Sequence, residues 1–285
     1  MKIFALLFAT AIWGLGFVGT RWTFNNYSPM WSNSLRFIFA GLIIAPILIF
    51  LPKLKTFKGP LLASIFIYLA LLLQTIGLAH TTLAKSGFLT VFYAIFTPII
   101  SIFLYRQKFK TSYWALLSLA FLGILFLCEL NLNNFNIGDA YTIASAFALS
   151  LHILVVDRYA KGSHPVVFNG WQSIFVGIIG LVVAYFTEGW PNLSPLLDPG
   201  NLFKPGPIWG FVVLSIFSSL IAFSLQVYAQ KGTAPHVVSL SFLMESVFAA
   251  LFGFLLFNET LSTMALIGCT LVVGSVLLLP RLSKN

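Results

Sequence analysis

Residues Leu73 to Ser101 read LQTIGLAHTTLAKSGFLTVFYAIFTPIIS. One apolar run ends here, a short polar link follows around His80, Thr81 and Thr82, and a second apolar run begins. Followed outward from the link, the runs cover residues 60–80 and 83–105, and the second stops at the basic cluster Arg106, Lys108 and Lys110. About 20 apolar residues in a helix cross the roughly 30 Å hydrocarbon layer of a bilayer, so each run predicts one transmembrane helix. Cutting the rest of the chain at charges, prolines and polar clusters gives eight more such pieces, at 3–22, 31–51, 112–128, 138–157, 165–187, 207–229, 235–257 and 262–280. The fold class is therefore an all-α membrane protein of ten transmembrane helices.

Composition leads to the same conclusion. Of 285 residues, 59% are hydrophobic and only 8% are charged, against about 25% charged in a soluble domain. A bilayer tolerates that surface because lipid is itself apolar and a helix satisfies its own backbone groups. Met1 and Lys2 before the run Ile3–Thr20 look superficially like a secretory leader, but the run is long enough to span and further spans follow directly. The net charge of +9 sits between the apolar pieces and reports orientation rather than a nucleic-acid partner. With the N-terminus inside, 12 of the 16 basic residues fall on the inner side, and Glu129, Asp139, Glu188, Asp198 and Glu259 fall outside along with Arg21, Lys85 and Lys204. Both termini are expected in the cytoplasm of a bacterial inner membrane. The longest link, EGWPNLSPLLDPGNLFKPG from Glu188 to Gly206, is expected as a Pro-rich external loop.

Slid on itself by 152 residues, the chain sets Leu73-Gln74 on Leu225-Gln226, Thr81 on Thr233, Phe96 on Phe248, Leu104 on Leu256 and Gln107 on Glu259. After a one-residue gap Gly123 falls on Gly274. The expected halves are 1–130 and 131–285. Five helices is an odd number, so the second half enters the membrane from the opposite side and the repeat is inverted. Inverted repeats are a transporter feature, because rocking one half against the other exposes a midplane site alternately to the two sides.

No phosphate-binding GxxxxGK[ST], no HExxH and no GxSxG occurs in the chain, and no cofactor or enzyme chemistry is expected. Cys128 and Cys269 have no ligand spacing, and His80, His164 and His236 lie at helix ends, so no metal is expected. Candidate substrate contacts are polar or aromatic groups inside the spans. Glu245 lies mid-span, where a carboxylate needs something to offset its desolvation, and suits a substrate ammonium or a proton; the alternative is a structural carboxylate tying two helices. Arg36 suits a substrate carboxylate, or snorkels to the headgroups. His152 is polar in an apolar run and is of the residue type used as a proton switch, or simply packs. Trp13, Tyr93, Trp171 and Gln172 offer flat surfaces and hydrogen bonds to an organic solute, with packing or interfacial anchoring as the alternative. Gln74 and Gln226, at equivalent repeat positions, serve equally as interhelical hydrogen-bond partners. Pro98 removes one helical hydrogen bond and is a candidate hinge. Gly14, Gly16, Gly77 and Gly87 are read as close helix contacts.

Several stretches resemble the drug/metabolite transporter superfamily, in its EamA-like, ten-helix family. AIWGLGFVGTRW (Ala11 to Trp22) is similar to that family's Trp-Gly first-helix pattern, and SPMWSNSLRFIFA (Ser28 to Ala40) to its Ser-Pro and Arg-Phe segment. Leu73–Ser101 resembles its third and fourth helices, and SLSFLMESVFAALFGFLLFNETLS (Ser239 to Ser262) its Glu-Pro-Val-Phe-Ala-Ala segment, with Ser246 in the proline's place. The resemblance implies a central cavity lined by helices 1–4 and 6–9, helices 5 and 10 as scaffold, and outward movement of amino acids, related metabolites or drugs. A lipid flippase or a non-transporting membrane scaffold is the alternative; the partners expected are a small-molecule substrate and the lipid bilayer.

Overall fold

The computed structural model describes residues 2–78, 80–81, 83–128 and 135–282, and every regular element among them is helical. The elements are α1 Lys2–Phe24, α2 Pro29–Leu48, α3 Lys58–Leu78, α4 Leu83–Thr90, α5 Tyr93–Tyr105, α6 Thr111–Leu127, α7 Ile137–Tyr159, α8 Pro165–Glu188 and the single turn α9 Ser194–Leu197. They continue with α10 Pro207–Val212, a π-helical segment Val213–Ala222, α11 Phe223–Gln230, α12 Pro235–Phe242, α13 Met244–Phe257 and α14 Thr263–Leu282. Eight of the resulting spans are long and apolar enough to cross a membrane, and Thr111–Leu127 and Thr263–Leu279 are shorter apolar helices. Glu129 and Lys284, counted above among the flanking charges, lie outside the described residues.

Local chemistry sets the helix ends. Pro29, Pro165, Pro207 and Pro235 each open a helix, where the missing N–H costs nothing and the fixed φ is already helical. Before Pro29, Ser28 Oγ accepts from Trp31 N at 3.1 Å and caps α2. Arg106 and Asn258 close α5 and α13 in the left-handed region, at φ 53° and 54°. The helices carry apolar side chains on their outer surfaces too, Phe4, Phe103 and Phe186 among them, as expected where lipid is the solvent. The Glu188–Gly206 link is more structured than a Pro-rich loop suggests, since it holds α9 and a 3-10 turn, Pro199–Leu202.

Packing divides the chain into two compact units, Met1–Tyr68 with Val155–Gly232 and Leu69–Leu154 with Thr233–Asn285. Neither is a continuous stretch; each takes helices from both sides of residue 130. In the first unit α2 lies along α8, and α1 packs on α10, the π-segment and α11. One core joins Tyr27, Trp31, Leu35, Ala184 and Phe211, and another Ala63, Val156, Ala160, Phe168 and Val227. In the second unit α6 and α14 meet backbone to backbone, where a Cβ on Gly123 would sit 2.8 Å from the Gly268 carbonyl oxygen. Such close approach of small residues is how helices gain contact in lipid, where no hydrophobic drive separates helix from solvent.

Candidate functional site

The polar centre of the first unit is the π-segment. Widening a helix to i→i+5 bonding moves carbonyls out of line with their partners, and such segments are frequent at functional sites. Here donors from neighbouring helices meet those carbonyls. Trp13 Nε1 donates to Ser218 O at 3.2 Å. Asn169 Nδ2 donates to Ser219 O at 2.9 Å, to Leu220 O at 3.0 Å and to Ser224 Oγ at 3.1 Å. Gln172 Nε2 in turn donates to Asn169 Oδ1 at 3.3 Å. Arg36 reaches the same segment, with Nε on Ser219 Oγ and Nη2 on Ser218 Oγ, both at 3.0 Å. Its guanidinium carbon lies 5.0 Å from the centre of the Phe37 ring, a cation–π distance. Gly16 clears the approach, since a Cβ there would meet Ser218 Oγ at 3.2 Å.

Trp13 and Arg36 thus converge on one segment, with Gln172 one step removed through Asn169, although 182 residues separate Arg36 from Ser218. Arg36 turns into the unit rather than toward the headgroups: neutral serine hydroxyls and an aromatic face sit where its fork can reach them, which replaces the snorkelling alternative. Trp13 is buried and edge-on to Phe223, with centroids 5.0 Å apart. Trp171 faces elsewhere, one residue or about 100° around the helix from Gln172. It packs with Phe57 at 4.7 Å and Phe175 at 5.9 Å. Asn169, Ser218 and Ser219 are the residues that sequence reasoning missed. The available signal was an amide three positions before Gln172, on the same helix face.

In the second unit the helical ladder is interrupted twice. Val91 and Phe92 lie between α4 and α5, and Leu243 lies between α12 and α13. Tyr93 opens α5 directly after the first interruption, is buried, and meets Phe242 edge-on at 6.3 Å. Glu245 lies in the first turn of α13, directly after the second, is partly exposed, and stands within electrostatic reach of Tyr93. The positive end of the new helix offsets some of the cost of a mid-span carboxylate. Pro98 is buried inside α5, which runs through it unbroken from Tyr93 to Tyr105; the discontinuity of this span is upstream of it. His152 on α7 is buried, at 1% exposure.

Two residues counted as flanking charges prove to be an internal ion pair. Lys85 Nζ lies 2.6 Å from Asp139 Oδ2, and Asp139 is fully buried. Thr81 Oγ1 donates to Asp139 Oδ1 at 2.7 Å and Asn136 N to Oδ2 at 2.8 Å. Asp139 N donates to Asn136 Oδ1 at 3.1 Å. Asn136 and Asp139 thus form a reciprocal cap at the start of α7. Gln74 Nε2 joins α3 to α4 through Thr90 Oγ1 at 2.9 Å, as an interhelical partner, whereas Gln226 Nε2 donates within its own helix to Gln230 Oε1 at 2.8 Å. A cavity of about 660 Å³ between α3, α5 and α7 is lined by Leu69, Leu73, Phe96, Ala144, Phe147 and other apolar residues. No group of three or more His, Cys, Asp or Glu among the described residues is placed to hold a metal.

The model of the EamA-like transporter family matches residues 1–128 and again 136–280. An uncharacterized transporter of Archaeoglobus fulgidus is 28% identical over 275 residues, covering 96% of this chain and 83% of that protein. The S-adenosylmethionine/S-adenosylhomocysteine transporter of Chlamydia muridarum is 25% identical over 282 residues, covering 91% of this chain and 85% of that protein. A solved crystal structure superposes with a TM-score of 0.78 at 16% identity, over 99% of both chains, and so shares the fold. With two family matches spanning nearly its whole length and an all-helical, multi-span structure, the chain belongs to the EamA-like transporter family of integral membrane proteins.

Proposed function

We propose that this protein is a secondary transporter exporting small metabolites, amino acids or related solutes and some drugs, by alternating access between two inverted five-helix repeats, 1–130 and 131–285. The ten apolar helices are its spans, both termini are cytoplasmic, and the membrane is a bacterial inner membrane. The observation that carries the repeat is the spacing of its irregularities. Val91 N donates to Phe88 O at 3.1 Å and Ala94 N to Val91 O at 2.9 Å; 152 residues on, Leu243 N donates to Leu240 O at 3.3 Å and Ser246 N to Leu243 O at 3.2 Å. The left-handed residues Arg106 and Asn258 keep the same spacing, and so do Tyr93 and Glu245, each just past an interruption. Discontinuous helices whose new N-termini carry the binding groups are the usual construction of a transporter site.

The substrate contacts proposed are Trp13, Arg36, Tyr93, His152, Trp171, Gln172 and Glu245, with Pro98 as hinge. Arg36 by itself suits a substrate carboxylate and Glu245 by itself a substrate ammonium, groups of the kind a zwitterion carries. A relative is named for S-adenosylmethionine and S-adenosylhomocysteine, whose amino-acid ends are of that kind. Vesicles containing the purified protein, loaded in turn with labelled amino acids, S-adenosylmethionine, nucleobases and cationic drugs, test the proposal. Protein-dependent efflux of a zwitterion, lost in Glu245→Gln, is expected; efflux of none of them excludes it. The apolar cavity of the second unit favours a second function, lipid translocation, which labelled phospholipid in the same vesicles would reveal.

A further inference from the structure

Residues 189–206, between α8 and α10, are pinned at both ends. At the start Trp31 Nε1 donates to Gly189 O at 3.2 Å and Ser28 Oγ to Glu188 Oε2 at 2.5 Å. At the end Trp209 Nε1 donates to Leu202 O at 3.0 Å. Inside, Asn201 Nδ2 donates to Pro195 O at 2.7 Å and Gly200 N to Asp198 Oδ1 at 2.9 Å. Leu196 packs on the core of Tyr27, Trp31, Leu35, Ala184 and Phe211.

A loop folded this well in water would turn its other large apolar side chains the same way as Leu196. Instead Trp190 is 72% exposed, Leu197 78% and Phe203 89%, with Leu193 and Leu202 also exposed. Exposed large apolar side chains in this number on an ordered segment mark a surface that meets something apolar. Trp190 continues the outer face of a membrane span. Tyr185 and Phe186, in the last turn of α8, are exposed, and the Tyr185 ring lies 5.4 Å from Phe186 and 5.0 Å from Trp190. Trp209, where the chain re-enters the membrane, is 46% exposed. Tyr and Trp gather at this depth, where acyl chains give way to headgroups. The only side chains of the loop that carry charge, Asp198 and Lys204, are exposed beside Leu197 and Phe203.

We infer that residues 190–203 lie in the membrane–water interface as a lipid-binding strap, with Trp190, Leu197 and Phe203 set among the upper acyl segments and Asp198 and Lys204 at the headgroups. The occupant of this surface is bilayer lipid. Such a segment lies on the membrane rather than across it, and its binding scales with the apolar area it buries. It would hold the α8–α10 end of the first unit at a fixed depth whatever the substrate.

The test uses the full chain in phosphatidylcholine–phosphatidylglycerol vesicles, with lipids brominated either near the headgroup or near the chain terminus. The fluorescence of wild type minus that of Trp190→Phe belongs to residue 190. It is expected to be blue-shifted, insensitive to iodide, and quenched roughly twofold more by the shallow than by the deep bromines. Phe203→Cys carrying a polarity-sensitive label, in a Cys128→Ser and Cys269→Ser background and compared with Asn192→Cys in the same background, gives a second position, at which 203 reads apolar and 192 aqueous. Water-like emission and iodide quenching at both 190 and 203 overturns the inference.

Discussion

At the residue scale, the chemistry concentrates in a few buried polar groups, and each makes a separable forecast. Asn169 is the support of the π-segment, and Asn169→Ala withdraws one donor from the Ser219 and Leu220 carbonyls at a cost of about 1–3 kcal/mol. A correspondingly lower melting temperature in detergent is expected, and an unchanged one would show that the amide does not hold those carbonyls. Arg36→Lys keeps the charge and loses the two-point grip on Ser218 and Ser219. In the transport assay it should lower efflux by about tenfold, equivalent to roughly 1.4 kcal/mol, with insertion intact; full activity would show that charge alone suffices. Asp139→Asn removes the carboxylate charge beside Lys85, and breaking a buried pair in this way costs about 3–5 kcal/mol. Lys85→Met combined with Asp139→Leu should recover a good part of that loss in a thermal melt, whereas additive losses would assign the cost to packing.

At the element scale, one close helix contact is Gly123 on α6 against Gly268 on α14. Gly123→Ala forces the two backbones apart, and about 1–3 kcal/mol of stability should go with it; thermal unfolding at wild-type temperature would mean the helices part freely. The extents of the apolar helices were legible because length and hydropathy fix them. The expected 60–80 and 165–187 became Lys58–Leu78 and Pro165–Glu188. The interruptions at Val91 and Leu243 were not, since neither carries the proline or glycine that marks a break, and Pro98, which does, sits inside a continuous helix. The π-segment VLSIFSSLIA is equally silent, because Ile, Phe and Leu suit α and π winding alike, and the carbonyl partners that reveal it come from Trp13 and Asn169 in other helices. Lys85 and Asp139 read as loop charges because their pairing joins α4 to α7, and no local pattern records it.

At the scale of the whole molecule, membrane embedding and family followed from composition and from motifs in order, while the grouping of helices did not. Sequence divides the chain near residue 130, whereas packing interleaves it, with 1–68 joined to 155–232. A repeat is a statement about ancestry and orientation, and a compact unit is a statement about which surfaces touch, so the two need not coincide. If alternating access through inverted repeats is right and Glu245 carries a proton, an inward or outward pH step across wild-type vesicles should change the efflux rate, and an unchanged rate would exclude that role.

The widened stretch from Val213 to Ala222 has one more implication. A π turn holds more residues per turn than an α turn, so it is a store of slack wound into an otherwise taut rod. Each residue released to α winding would rotate everything beyond it by about 100° and advance it by about 1.5 Å. Gln226 and Gln230 lie on that downstream piece. Unwinding the slack would present a different face of the helix to whatever lies alongside, without breaking the rod, and the side chains of Trp13, Arg36 and Asn169 are the pawl that keeps it wound.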